Sequence, residues 1–339
     1  MRICVLLSAY TSDSSPVADL DPMFDPTPWL GGHDVDVVVV HKATAAAQVR
    51  ALAAKRYDVC LNLCDGMWFE EVAGVEVVEE LERLGIPFTG PSAALYALTK
   101  EQMKRAALAL GVRTPAYAFA RSEADLDRAA AALRYPLIVK HFDGCASMGM
   151  SRASRVTGPE ALRREARAMI AEVGCALVEE FIEGDEYTVL VAEDPDAPES
   201  PLCYTPVRCS FPPGETFKHF ELKWRTFEDL RWTPCTDAAL AGALAEATRR
   251  MFVGLGGQSY SRCDFRVDAQ GTPWLLEINT NCGIFYPAGQ EGCADMILKF
   301  DPVGHRGFLD RLFRCARLHA ERARGAARPA ERSGEEANP

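Results

Sequence analysis

The sequence predicts an α/β chain, α+β overall, that opens with a Rossmann-like parallel-sheet domain and continues into two smaller mixed subdomains. Three observations carry this expectation. The first hundred residues alternate short apolar runs with helical patterns, the order of βαβ units. IPFTGPS at 86–92, with two prolines and a glycine, breaks that alternation and marks a domain exit. Beyond residue 183 the chain turns strand-rich, with one clear helical pattern ahead of GLGG. The expected boundaries are 1–95 for the N-terminal domain, 96–182 for a central subdomain and 183–318 for a C-terminal one. Residues 319–339, rich in Arg, Ala and Glu, are expected to be a disordered tail.

Each element follows from its own pattern. MRICVLLSAY at 1–10 is an apolar strand that runs into polar sequence rather than into a cleavage site. DVDVVVV at 34–40 reads as a second strand, TAAAQVRALAAKR at 44–56 as a helix, YDVCLNLC at 57–64 as a third strand, and about Val72 to Leu84 as a second helix. The central block has a helix around Lys100 to Leu110, a second over SEADLDRAAAALR, the strand PLIVK and a glycine-containing loop. Thr157 and Glu160 stand at capping-box spacing with Pro159 in the first turn, so another helix should start there. CALVEEF and GDEYTVLV follow as strands; 194–232 reads as a long polar insertion, and TDAALAGALAEATRRMF as the helix of the third block.

Composition narrows the function. With 339 residues and 48% apolar composition the chain can bury a real core, and its longest apolar runs are far too short to cross a bilayer. A formal net charge of -11 argues against general affinity for nucleic acid or anionic membranes. Twelve cysteines are scattered singly, without CxxC pairs or His partners at ligand spacing, which suits reduced packing thiols in a cytoplasmic protein.

The residues that invite chemistry lie in three places. WLLEINTNCGIF at 274–285 sets Glu277, Asn279 and Asn281 behind an apolar run where a buried strand should continue. A turn at Asp268 to Gly271 would fold it back on SRCDF, bringing Asp264 opposite Glu277. Two carboxylates and an amide oxygen suit a hard cation such as Mg²⁺, completed by water and phosphate; an edge hairpin with exposed acids is the plainer reading. Lys140 ends an apolar strand, where a lysine either reaches phosphate or snorkels to solvent. The loop after it offers Gly144, Ser147 and Gly149, although neither GxxxxGK[ST] nor a GxGxxG after the first strand is present. Glu179, Glu180, Phe181 and Ile182, with Glu186 after a glycine turn, could line a flat base and its ribose, or form a solvated face.

Taken in order, TKEQMK, LIVKHFDGCASMGMS, ALVEEFIEGDEYTV, FELKW, and SRCDF with LLEINTNCG resemble the D-alanine:D-alanine ligase-like branch of the ATP-grasp superfamily, from about Asp58 to Gly283. The resemblance implies an ATP-grasp fold behind the Rossmann-like domain and a reaction joining a small carboxylate to a small amine at the expense of ATP. It implies that Lys100 and Lys140 contact ATP phosphates, that the loop with Ser147 and Gly149 closes over them, and that Ser147 takes part in the reaction. Glu179 to Ile182 would line the adenine and Glu186 hold the ribose. Lys223 would sit near the transferred phosphoryl group, and Arg262 with the backbone N–H of Gly283 would face the oxyanion. Asp264, Glu277 and Asn279 would hold two Mg²⁺ ions, which Mn²⁺ can replace, and a homodimer is implied as well.

The departures gather at the substrate end. The family's Gly-rich, acid-bearing stretch after the first strand is SAYTSDSSPVADLDP here, with Asp13 and Asp19 as substitutes for the acid. The family tyrosine after the lysine is Trp224, and Ala288 stands where the family has a carboxylate-binding serine. The substrate is therefore expected to be a small amino acid-like metabolite other than D-alanine. Arg208, Lys218, His219, Trp224 and Arg225, clustered around Lys223, are the candidate substrate contacts; alternate packing along a strand is the other reading of them.

Overall fold

The computed structural model describes residues 1–10, 17–68 and 70–327. The N-terminal domain holds β1 (Arg2–Ser8), β2 (Asp34–Val40), α1 (Ala45–Ala53), β3 (Val59–Leu63), α2 (Val75–Leu84) and α3 (Ala93–Tyr96). Its three strands form a parallel sheet in the order β2-β1-β3. Residues 3 to 7 are buried throughout, as expected of a central parallel strand covered on both faces. Pleating divides them: Cys4 and Leu6 pack with Val49, Val77 and Leu81 from α1 and α2, while Ile3, Val5 and Leu7 join a second core on the other face.

The middle of the chain comprises α4 (Lys100–Ala109), β4 (Tyr117–Ala120), α5 (Glu123–Ala132), β5 (Leu137–His141), β6 (Arg155–Val156), α6 (Pro159–Val173) and β7 (Ala176–Glu180). Its strands make an antiparallel sheet in the order β4-β7-β5-β6. Leu137, Val139, Ala176 and Val178 face α5 and α6, so the alternate residues Lys140 and Glu179 look the other way, into a cavity. The cap of α6 differs from expectation. Gly158, not Thr157, is the N-cap, and no side chain caps the helix, whose start is set by Pro159 at the first position.

The last part holds β8 (Asp185–Ala192), β9 (Leu202–Cys203), β10 (Val207–Ser210), α7 (Phe220–Trp224), β11 (Arg231–Pro234), α8 (Ala238–Gly254), β12 (Tyr260–Val267), β13 (Pro273–Asn279), α9 (Cys293–Phe300) and α10 (Gly304–Ala327). Its sheet runs β11-β10-β8-β12-β13, with β9 on β8. The stretch read as a polar insertion thus supplies three strands and a helical turn. Those strands are two to four residues long; β10 alternates buried and half-buried residues and β11 is mostly exposed, and runs this short do not separate a strand from a polar loop by pattern. Asp237 caps α8 through the N–H groups of Ala239 and Leu240, and α8 packs with α4 on one face of this sheet. α10 continues through residues expected to begin the tail. Its first half buries Phe308, Leu309, Leu312, Phe313 and Ala316, and good helix formers carry it on to Ala327. Residues 328–339 of the expected tail lie outside the described residues.

Candidate active site

A cavity of about 630 Å³ opens between the two antiparallel sheets and the ends of β1 and β3. Its floor is the β12–β13 hairpin. The Asp268 to Gly271 turn is closed by Gly271 N–H donating to the Asp268 carbonyl at 2.9 Å, and the register sets Asp264 against Glu277 and Arg262 against Asn279. Arg262 forks onto Asp264, with Nε to Oδ1 at 2.9 Å and Nη2 to Oδ2 at 2.8 Å. Lys100, from the first turn of α4, lies 3.0 Å from Glu277. Asn279 Nδ2 donates to Asp264 at 3.2 Å. Burial opposes ionisation of Glu277, yet Lys100, Lys140 and Arg262 outweigh it and hold the carboxyl well below the ordinary range.

A second cationic group borders it. Glu179 is buried between Lys104, which it pairs closely, and Lys140 at 2.6 Å. Burial pushes its carboxyl up, but the two ammonium groups prevail and bring it down to about 2. Lys104 also donates to Thr114 Oγ1 at 2.8 Å. Glu186 pairs with Lys218 at 2.6 Å. Phe181 and Ile182 line the cavity between these groups. Glu180 borders it too, but its carboxylate is taken by Arg134, with Nη2 to Oε2 at 2.7 Å.

The glycine loop after β5 is fastened to α7. Ser147 Oγ donates to the Lys218 carbonyl at 2.9 Å, Trp224 Nε1 to the Ala146 carbonyl at 2.9 Å, and Phe220 N to Met150 O at 3.0 Å. Ala146, Ser147 and Gly149 all take positive φ, so the chain turns sharply over the cavity mouth. At the far side, a Cβ on Gly283 would stand 2.7 Å from the Tyr286 hydroxyl and 3.2 Å from Phe24 Cζ, so a larger residue there would have to displace both rings.

Of the sequence-predicted residues, Lys100, Lys140, Ser147, Glu179, Glu180, Phe181, Ile182, Glu186, Lys218, Lys223, Trp224, Arg262, Asp264, Glu277, Asn279 and Gly283 border this one cavity. Gly149 is in the loop but does not line it. Three candidate substrate contacts stand elsewhere. Arg208 pairs with Asp185 at 3.3 Å; it stands opposite Tyr187 in the ladder, one position from Glu186, so strand alternation turns it to the other face of the sheet. Arg225 pairs with Glu221 at the end of α7. His219 is buried as the N-cap of α7, accepting from Leu222 N at Nδ1 and facing Glu215 at 3.0 Å through Nε2, so neither nitrogen is left for an amine. The strand reading of 218–225 gives way to a helical turn, which sends alternate side chains in different directions. Asp13 lies outside the described residues, whereas Asp19 borders the cavity.

Besides Asp19, three acids of the N-terminal domain that carry no motif in the sequence, Asp21, Asp65 and Glu70, face the cavity. Tyr10 donates to Asp21 at 3.2 Å, Ser8 to Asp65 at 3.4 Å, and Cys145 to Glu70 at 3.5 Å. Burial, reinforced by the neighbouring carboxylates, pushes Asp65 up to about 8. Burial likewise raises Asp21 to about 6. Asp65 directly follows the apolar run of β3, and a carboxylate at the C-terminal end of a parallel strand was the available signal. Asn281 serves the fold, donating to the Cys64 carbonyl at 2.9 Å and so joining the end of β13 to the end of β3.

A family model described as D-ala D-ala ligase C-terminus matches residues 109–286. The D-alanine–D-alanine ligase of Stutzerimonas stutzeri is 35% identical over 207 residues, which are 60% of this chain and 62% of that protein. That of Ectopseudomonas mendocina is 34% identical over the same shares. The chain thus aligns with less than two thirds of the length of these relatives. Among solved structures, the D-alanine–D-alanine ligase of Bacillus anthracis, described as complexed with ATP, superposes with a TM-score of 0.69 at 18% identity, covering 95% of this chain and 99% of that one. The enzyme from Coxiella burnetii gives 0.70 at 14% identity, covering 99% of both chains. At such identities the structures speak for the fold, an ATP-grasp architecture behind a parallel-sheet domain. With its model matched over half the chain or more, the D-ala D-ala ligase C-terminus family is the one to which this protein belongs.

Proposed function

We propose that the protein is an ATP-dependent carboxylate–amine ligase that forms an amide through an acyl phosphate, releasing ADP and phosphate. The observation that carries this reading is the convergence of Lys100, Lys140 and Arg262 on Asp264, Glu277 and Asn279 in a single cavity. The relatives bearing D-alanine–D-alanine ligase names support the same chemistry.

The donor set fits Mg²⁺. Among the described residues no group of three His, Cys, Asp or Glu could hold a metal, which disfavours a soft or protein-enclosed ion. Asp264, Glu277 and Asn279 instead offer the few hard oxygens that Mg²⁺ takes when water and phosphate complete its shell. Bound there, Mg²⁺ would neutralise charge on the phosphates of ATP.

The protein's own groups meet the main difficulty, which is that an anionic carboxylate must approach the γ-phosphate. Lys100 and Lys140 exchange their internal partners, Glu277 and Glu179, for phosphate oxygens. A carboxylate oxygen of the substrate attacks the γ-phosphorus and the bond to ADP breaks. The amine nitrogen then attacks the acyl carbon, the bond to phosphate breaks, and the amine proton passes to solvent. Arg262 and the Gly283 N–H stabilise the oxygen that gains charge in this second step. The loop around Ser147, tied to α7, keeps water from the acyl phosphate.

D-alanine, in the names of the relatives, is the first substrate to test. Asp21, Asp65 and Glu70 facing the cavity support a substrate with an ammonium group at that end, which D-alanine itself has, whereas Trp224 beside Lys223, in place of the family tyrosine, supports a different small amino acid-like pair. Twelve free thiols, eight of them buried, support a reducing, cytoplasmic setting. The test is phosphate release with Mg²⁺-ATP against pooled amino acids and small carboxylic acids, D-alanine included, with products weighed by mass spectrometry. ADP, phosphate and a product lighter than its two parts by one water are expected. ATP turnover whose phosphoryl group stays on the product would replace the ligase with a kinase.

A further inference from the structure

Arg266 lies on β12 two residues past Asp264 and four past Arg262, so strand alternation puts all three on the face that borders the cavity. Its side chain, in a residue only 3% exposed, is held on several sides. Nε donates to the Ile182 carbonyl at 3.0 Å and Nη2 to the Thr216 carbonyl at 2.8 Å. The guanidinium carbon lies 4.7 Å from the centre of the Phe181 ring and 5.9 Å from that of Phe211.

Nη1 is different. It is buried without a hydrogen-bond partner among the described residues, and its nearest carboxylate oxygen, on Glu186, is 3.9 Å away. A buried donor left unpaired is costly, and a guanidinium only donates, so what fills this place must be an acceptor. Its surroundings say what kind. Ile138, Met150, Ile182 and Phe217 line the cavity here as an apolar wall for a flat base, while Glu186, paired with Lys218 in the free protein, can also accept from hydroxyls, as a nucleoside requires.

We propose that Arg266 is a nucleotide-contacting residue: Nη1 donates to an acceptor on the ribose or the base, while Nε and Nη2 hold the Ile182 and Thr216 carbonyls that shape the pocket. This rests on the reading that the cavity binds ATP. It also assigns the strand a division of labour, with Arg262 and Asp264 at the reacting end and Arg266 at the nucleoside end.

The test is calorimetric binding to the full chain of Mg²⁺-ATP, of deoxy analogues lacking each ribose hydroxyl, and of deaza analogues lacking each ring nitrogen of adenine. The same series is run on R266M. The substitution is expected to weaken Mg²⁺-ATP by roughly tenfold or more. One analogue should weaken binding to the unmodified protein by a similar factor yet bind R266M no worse than ATP does. A deoxy analogue behaving so assigns the contact to ribose, a deaza analogue to the base. Unchanged affinity in R266M, or losses that simply add for every analogue, would overturn the proposal and leave a structural arginine whose Nη1 is satisfied by water. If R266M does not fold by circular dichroism, R266K, which keeps the cation but loses the fork, carries the same cycle. Absence of Mg²⁺-ATP binding to the unmodified protein would remove the ATP reading itself, a result distinct from unchanged affinity in the variant.

Discussion

Glu277 has two roles whose separation is measurable. In the free protein it neutralises Lys100 at 3.0 Å, and in the proposed reaction it is a ligand for Mg²⁺. Glu277→Gln keeps the shape and a hydrogen-bond acceptor while removing the charge. Turnover should fall by about a hundredfold or more while the melting temperature stays within a few degrees; full activity in that variant would remove the metal assignment. Asp65 lends itself to a different experiment. Its ordinary value of 3.8 rises to about 8 in the fold, chiefly by burial, with Asp21, Glu70 and Ser8 facing it. An acid whose value rises on folding stabilises the protein fully only below its unfolded value. That stability is lost as pH climbs toward the folded one. The ligand-free protein should therefore lose melting temperature between about pH 4 and 8, and Asp65→Asn should flatten the slope. A profile identical in the two proteins would show that Asp65 is ionised in the native state at low pH. Such residues were only half legible in the sequence. Asp264 and Glu277 sit on alternating strand positions beside a turn, whereas Asp21 and Asp65 come together from segments far apart along the chain.

Among the elements, the β12–β13 hairpin is readable because a turn and two strands are local features, but its register is not: the turn pairs Val267 with Pro273 and Phe265 with Leu275, which would bring Leu276 opposite Asp264, and a bulge between Phe265 and Asp264 shifts the ladder by one so that Glu277 stands there instead. α7 is not readable either. Five residues of helix are too few to show a period, and the segment is held by partners remote in sequence, among them Met150 and Ala146. That attachment predicts a local effect. Trp224→Phe keeps an aromatic ring but loses the donation to the Ala146 carbonyl, a loss of about 1 kcal/mol in local stability. Hydrogen exchange over residues 143–151 should quicken by severalfold while the core strands are unchanged. Equal protection in both proteins would mean that the loop is held by its other contacts, Ser147 to Lys218 among them.

On the scale of the whole molecule, one core binds the N-terminal sheet to the C-terminal one. Ile3, Val5 and Leu7 of β1 share it with Leu190 and Ala192 of β8 and with Phe308, Leu312 and Phe313 of α10. Phe308 is fully buried at its centre, with ring centres 5.4 Å from Tyr260 and 5.7 Å from Tyr204. Phe308→Ala should cost about 3–5 kcal/mol, and because the core is shared the loss should appear as a lowered melting temperature of both sheets together. Separate transitions, with only one displaced, would show that the domains unfold independently. The sequence by itself determined the parallel N-terminal sheet, the hairpin and the family, since all three rest on local periodicity or on motifs that keep their order along the chain. Only the tertiary structure decided which charges meet. It paired Lys104 with Glu179 and Arg134 with Glu180, sent Arg208, His219 and Arg225 away from the cavity, and turned Asp65 and Arg266 into it. The physical reason is that a hydrophobic period records which side of an element is buried, whereas the partner of a buried charge depends on how distant elements pack.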